Sequence, residues 1–273
     1  MMKISFKSFL LFFLFLTGLS FAIADNVKEG NRLYEAGKYQ EAMRYYMQPD
    51  TVNNPRTMNR IAYMYYTGQG VKENPVEAFH WYRKAAESGY AEAQFNLGLT
   101  YEQGKGVTKN INEAVKWFKK AAEQNDTDAL MKMGYFSVKG IGIRQDYREA
   151  LQYYRRAAEN GEKSAYVDIG ILYSRGWGVK KNLNHAVQYY ILGSQKGDAK
   201  AQSLLGSAYA TGKGIPQDNQ KAMYWYKQAA QNGNINAMKE LGYIYETGRL
   251  GVMKNLQEAQ RWNEMAKKAS EKQ

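Results

Sequence analysis

The chain repeats itself. Ala93, Leu97, Gly98, Tyr101, Gly104 and Gly106 spell out the skeleton Ala-x-x-x-Leu-Gly-x-x-Tyr-x-x-Gly-x-Gly, and the pattern returns every 36 residues. Its alanine stands at Ala93, Ala129, Ala165, Ala201 and Ala237. Its central glycine stands at Gly98, Gly134, Gly170, Gly206 and Gly242. A fixed period of this length marks a stacked repeat architecture, in which each unit buries its apolar face against its neighbours. The 273 residues therefore measure repeats and do not count globular domains.

Each repeat reads as two helices. In the first, helix A, Leu97 and Tyr101 lie four apart and share a face. Gly98 lets the second helix approach closely. Glycine inside a helix costs up to about 1 kcal/mol relative to alanine, so tight packing must offset that cost in five copies; Ala62 fills the site in the first long unit. Gly104 and Gly106 end helix A, as do Gly68/Gly70, Gly140/Gly142, Gly176/Gly178 and Gly212/Gly214. In the last unit Gly248 and Gly251 are spaced by one inserted residue. This Gly-x-Gly is recurrent punctuation. No strand is expected before it and neither GxGxxG nor GxxxxGK[ST] follows, so a phosphate-binding loop is excluded.

The second helix, helix B, opens on a cap. Asn74, Asn110, Asp146 and Asn255 each precede a glutamate at the third helical position, while Asn182 and Asp218 precede His185 and Lys221. The buried face follows: Ala114, Trp117, Phe118, Ala121 and Ala122, with Ala78, Trp81, Tyr82, Ala85 and Ala86 as equivalents. The tryptophans are read as core packing. Helix B stops at Gly89, Asn125, Gly161, Gly197 or Gly233, asparagine being the next best left-handed residue after glycine.

Before the repeats, residues 1–24 read as a cleaved signal peptide. Lys3 and Lys7 precede the apolar run Phe9–Leu16, and Ala22-Ile23-Ala24 suits a signal peptidase cutting between Ala24 and Asp25. The apolar run is shorter than the roughly 20 residues a spanning helix needs, so no membrane span is expected after cleavage. Residues 25–55 hold a tetratricopeptide-like helix pair and a turn-rich connector. Residues 56–273 hold six repeats, at about 56–89, 90–125, 126–161, 162–197, 198–233 and 234–269, and a short charged tail.

The full pattern adds Asn/Asp-x-x-Glu-Ala-x-x-Trp-Tyr-x-x-Ala-Ala-x-x-Gly to the first skeleton, and it resembles the Sel1-like repeat, a relative of the tetratricopeptide repeat. Ser137 in the tyrosine column, Gly193-Ser194 in place of Ala-Ala, and Ile143 in place of Val depart from it. The resemblance implies an all-α fold, a right-handed α/α superhelical solenoid of about seven helix-turn-helix repeats. It implies an adaptor or scaffold, whose exported bacterial members are associated with envelope assembly, peptidoglycan-linked processes and host interaction, in the periplasm or the secreted fraction. The family carries no catalytic triad to transfer. An exported, cysteine-rich branch has been linked to penicillin binding and β-lactamase activity. This alternative needs paired cysteines, and the sequence has none.

The absence of cysteine also excludes disulfides, thiolate zinc sites and a thiol nucleophile. His80 and His185 sit at different repeat offsets and make no metal pair, and no carboxylate pair has a spacing that enforces acid–base chemistry. No catalytic residue, metal or cofactor is expected. The net charge of +12, or +10 without Lys3 and Lys7, favours anionic partners at long range and also suits a solvated outer face. A nucleic-acid partner is not expected, because the leader points to export and the tyrosines occupy core columns.

A binding surface is the stronger reading. In related repeats the A helices line the concave face. Columns interleaved with the core vary from unit to unit: Tyr63, Leu99, Tyr135, Ile171 and Tyr243 in one, Asn59, Phe95, Met131, Val167 and Lys239 in the next, Tyr66 and Glu102 in a third, with Arg175 beside them. The middle of this face is apolar (Phe95, Leu99, Met131, Tyr135, Val167, Ile171), as expected of a surface that takes a protein or peptide. Lys139, Arg175, Lys200 and Lys239 suit an acidic partner, including one associated with the cell wall.

Overall fold

A computed structural model describes residues 26–271, all helix and turn. The expected leader and its Ala24–Asp25 cleavage site lie outside the described residues. The chain divides after Asp126 into two compact units.

Unit 1 holds α1 (26–35), α2 (Tyr39–Tyr46), α3 (Pro55–Thr67), α4 (Pro75–Glu87), α5 (Ala91–Gln103) and α6 (Ile111–Glu123). Unit 2 holds α7 (Thr127–Lys139), α8 (Tyr147–Glu159), α9 (Lys163–Arg175), α10 (Leu183–Gln195), α11 (Ala199–Thr211), α12 (Asn219–Gln231), α13 (Ile235–Thr247) and α14 (Leu256–Ser270), with a 3-10 turn at Arg249–Gly251. From α3 onward the helices alternate A and B. Within a unit each A helix packs on its own B helix, and that B helix packs on the next A helix. This is the α/α solenoid arrangement the repeat implies.

The boundaries follow the local chemistry. The Asn110 side chain accepts from the Glu113 N–H, Asn74 caps Glu77 in the same way, and Asp146 caps both Arg148 and Glu149. The N–H of each cap residue donates in turn to the A helix before it: Asn110 to the Tyr101 carbonyl at 2.9 Å, Asn182 to that of Tyr173 at 2.9 Å, and Asp218 to that of Tyr209 at 3.0 Å. The capping residue thus also fixes the hairpin between the two helices. At the other end of helix B, Asn125 adopts φ 69°, the left-handed conformation expected of a residue standing in for glycine.

Two glycines carry the close contacts. Gly98 faces the Phe118 ring across the A–B interface, and a Cβ there would lie 2.5 Å from Phe118 Cε1. Gly106, at φ 79°, meets the backbone of Pro75 in the preceding repeat, so the second glycine of the turn is where one repeat stacks on the last. Around these contacts the core is apolar and closed: Leu97, Phe118, Leu205 and Leu241 are at most 1 % exposed. Some buried polar groups tie neighbouring repeats together. Gln94 Nε2 donates to the Ala86 carbonyl of the preceding repeat, and the exposed Gln124 Nε2 donates to the Gly89 carbonyl of that repeat and to Gln94 Oε1 of its own.

Two expectations are corrected by burial. Trp177 does not occupy a core position; it lies in the turn after α9, 37 % exposed, with its ring stacked on Tyr147 at 5.0 Å. Val167 does not lie on an open face. It is 1 % exposed, on the side of α9 where the next A helix of its unit, α11, packs.

Candidate helix-A surface and the unit 1 cleft

The columns proposed for partner contact separate into two kinds. The Tyr63 column points outward. Tyr63, Tyr135 and Tyr243 are 42 %, 47 % and 47 % exposed, and each is followed by a closed residue, Met64, Phe136 or Ile244. Leu99 and Ile171 of the same column are half-buried. Alternation of this kind between adjacent residues is what a helix with one packed side requires.

The Asn59 column is a seam between neighbouring A helices. Asn59 is buried and bonded to Glu92 and Asn96 of α5, Phe95 is half-buried with its ring 5.5 Å from Phe118 of its own B helix, Met131 is half-buried, and Val167 is closed. Lys239 is exposed in α13, which has no following A helix among the described residues. Of the remaining expected positions, Tyr66 donates its hydroxyl to Gln103 Oε1 and lies under Lys105 Nζ, 3.7 Å from the ring centre. Glu102 is half-buried and Arg175 is exposed. Tyr243 carries the Arg249 guanidinium over its ring at 5.3 Å.

In unit 1, Asn59 and Tyr63 belong to a polar cleft of about 550 Å3 built by α1, α3, the turn before α5, and α5 itself. Asn31, Tyr34 and Glu35 come from α1, Arg56 and Arg60 from α3, and Tyr90, Glu92 and Asn96 from the start of α5. A series of hydrogen bonds sets its floor. Asn96 Nδ2 donates to Asn59 Oδ1, Asn59 Nδ2 donates to Glu92 Oε1, and the Tyr90 hydroxyl donates to Glu92 Oε2 at 2.7 Å. Burial pushes the Tyr90 phenol up, its bond to Glu92 pushes the same way, and Arg56 opposes both. Burial likewise raises Tyr34, against the Arg60 guanidinium, which lies 4.3 Å over its ring. A smaller recess of about 130 Å3 adjoins the cleft through Tyr63 and Asn96 and is otherwise lined by Tyr66, Tyr82, Leu99 and Thr100.

Column reading found Asn59, Tyr63, Tyr66 and Leu99 but missed Arg56, Arg60, Tyr90 and Asn96 as parts of one site. The signal available was the spacing of Arg56 and Arg60, four apart on one helix face. The contribution of α1 has no counterpart in the other repeats and leaves no periodic trace.

Burial pushes the Asp168 carboxyl of α9 up, to about 6, with Lys200 opposing and Asp198 and Glu162 adding to the shift. His80 and His185 are both exposed. Among the described residues no group of three His, Cys, Asp or Glu side chains could hold a metal ion, and no helix is long and apolar enough to cross a membrane.

Tandem capped helix pairs with a conformationally constrained turn define a helical-repeat protein. The Sel1 repeat model matches residues 55–90, 91–126, 127–162, 163–198, 199–234 and 235–270, and the chain belongs to that family. The crystal structure of a Sel1 repeat protein from Oxalobacter formigenes is 65 % identical with a TM-score of 0.83, covering 89 % of this chain and 99 % of the other. A protective antigen of uropathogenic Escherichia coli strains, displaying an SLR fold, is 28 % identical with a TM-score of 0.70; the match covers 90 % of this chain and 61 % of that one. The immunity protein PA5088 from Pseudomonas aeruginosa, 18 % identical with a TM-score of 0.50 over 80 % of this chain and 82 % of that one, shares the fold. No curated protein matches. Sel1 repeats generally mediate protein–protein interaction.

Proposed function

We propose that this protein is a non-enzymatic interaction scaffold of the bacterial cell envelope or secreted fraction, which takes a protein or peptide partner on the exposed side of its A helices. The observation that carries this reading is the Tyr63 column. The same register position is open at Tyr63, Tyr135 and Tyr243, while the very next residue in each helix is closed. Exposed tyrosines offer large, amphipathic contact area at low entropic cost, the composition of interface anchors. The residue type at this position also changes from unit to unit, to Leu99, Ile171 and Ser207, while the neighbouring core columns repeat.

The leader supports export, and the protective-antigen relative supports a location that a host immune system can reach. The excess of basic residues favours an acidic partner, including one held at the cell wall.

The test is crosslinking and pull-down of the processed protein from its own envelope and culture medium, paired with a variant carrying Leu99, Tyr135 and Ile171 each replaced by serine. The variant is expected to lose the captured partner while keeping helix content and melting temperature nearly unchanged. Capture by the variant at the wild-type level overturns the assignment of the face, and a drop in melting temperature of many degrees marks these residues as core. Amino-terminal sequencing of the exported form should begin at Asp25.

A further inference from the structure

The unit 1 cleft specifies the chemistry of a ligand. Arg56 and Arg60 both line it, and neither guanidinium forms an ion pair among the described residues. Glu92 forms no ion pair with either; its oxygens accept from Asn59 Nδ2 at 3.0 Å and from the Tyr90 hydroxyl at 2.7 Å. Glu35, the other carboxylate of the lining, is exposed. The floor is rigid, since Asn59 is 6 % exposed and its amide is held at both ends, by Asn96 and through Glu92. Asn96 spends its Nδ2 on Asn59, which leaves its Oδ1 as an acceptor for a peptide N–H.

The Arg60 guanidinium lies 4.3 Å over the Tyr34 ring and bonds to that tyrosine, and its fork of five N–H donors leaves others for a carboxylate, which meets two of them at once. The recess that adjoins the cleft through Tyr63 and Asn96 is enclosed by Tyr66, Tyr82 and Leu99, and its volume of about 130 Å3 suits one aliphatic side chain. The cleft thus suits a carboxylate and the recess an apolar group, and the two share Tyr63 and Asn96 in their linings.

We propose that this cleft binds a peptide carboxylate, gripped by Arg56 and Arg60, with the neighbouring aliphatic side chain seated in the recess between Tyr66, Tyr82 and Leu99. The proposal rests on the reading of the A helices as a partner surface and gives the chemistry of one end of that partner. The terminal carboxylate of a peptide and an acidic side chain both supply the charged group.

The test uses the full-length protein, expressed with its leader and labelled so that the arginine Nε–Hε signals are visible by NMR. It is titrated with N-acetyl-Leu-Gly as the free acid, with the same dipeptide as its C-terminal amide, and with N-acetyl-Leu-Glu amide. The free acid is expected to shift the Arg56 and Arg60 signals saturably, and the neutral amide is expected to leave them in place. A response to N-acetyl-Leu-Glu amide as well extends the site to acidic side chains; its absence restricts the site to peptide ends. Arg56→Gln, at an exposed side chain, is expected to weaken binding at least tenfold with the fold unchanged, and added salt is expected to weaken it too. Equal shifts with the neutral amide overturn the proposal, as does undiminished binding by Arg56→Gln, or no saturable shift up to about 10 mM ligand. Tyr135→Ser with Ile171→Ser, both in unit 2, is expected to keep this dipeptide binding while losing the cellular partner. Loss of the dipeptide response alone therefore counts against the cleft, and unaltered partner capture by that pair counts against the wider helix-A reading.

Discussion

Gly98 is a glycine because Phe118 is a ring. The two residues face each other across the A–B interface of one repeat so closely that a Cβ on the glycine would stand 2.5 Å from the ring. Gly134 meets Tyr154 at the same distance, and Gly206 meets Tyr226 at 2.9 Å. Among the five repeats that carry a glycine here, only the last departs, where Gly242 faces the side-chain oxygen of Asn263; the first long repeat carries Ala62 instead. A stiff ring cannot yield to an added methyl group, whereas an amide at the end of a side chain can rotate away.

That contrast sets the first prediction. Gly98→Ala gains helix propensity of up to about 1 kcal/mol and is nevertheless expected to lose about 1–3 kcal/mol net through overpacking. Gly242→Ala is expected to lose less, or to gain. Urea midpoints of the two variants against wild type decide it. Equal shifts at the two sites would mean that the ring is not what selects glycine.

The core columns were legible because each position is sampled once per repeat, and a requirement such as the Gly98–Phe118 contact then prints itself repeatedly. The caps at Asn110, Asn182 and Asp218 were legible for the same reason. The surface was legible only in part. Periodicity tells which helix face a residue is on, but Val167 is closed and Tyr135 open, and that difference is set by packing between repeats, which a single unit does not encode. The unit 1 cleft was the least legible feature. Its residues come from α1, α3 and α5, and the contribution of α1 is not repeated among the described residues.

The seam and the open column should therefore respond differently to truncation. Val167→Ala removes buried methyl groups and is expected to cost about 1–3 kcal/mol. Tyr135→Ser, at a side chain 47 % exposed, is expected to move stability by no more than about 0.5 kcal/mol. Chemical denaturation of both variants checks this. A larger loss at Tyr135 than at Val167 would reverse the assignment of the two columns.

Asn110 holds the start of α6 through one hydrogen bond to the Glu113 N–H at 3.1 Å. Asn110→Ala is expected to destabilise by about 1 kcal/mol, and Asn110→Asp to restore most of the loss, because aspartate caps equally well and complements the helix dipole. Thermal melts of the two variants give the comparison. An alanine variant as stable as wild type would show that the hairpin bond from the Asn110 N–H to the Tyr101 carbonyl suffices by itself.

Asp168 makes stability depend on pH in a direction opposite to most carboxylates. Burial favours its uncharged form, so the folded protein keeps the proton up to about 6, whereas the unfolded protein releases it near the ordinary value of 3.8. Between those two values the folded state binds more protons than the unfolded one, so this group's contribution falls as pH rises and stays lost above about 6. The groups facing it are Lys200, which opposes the shift, and Asp198 and Glu162, which reinforce it; the Tyr154 phenol is raised by its burial, and Asp168 adds to that rise. Asp168→Asn removes the titration and keeps the shape. The variant and wild type are expected to melt together below pH 4, and the variant to be the more stable above pH 6, by at most about 3 kcal/mol. Melting temperatures of both proteins measured across that interval give the answer. A variant that loses stability above pH 6 would mean that Lys200 stabilises the carboxylate by more than burial costs it.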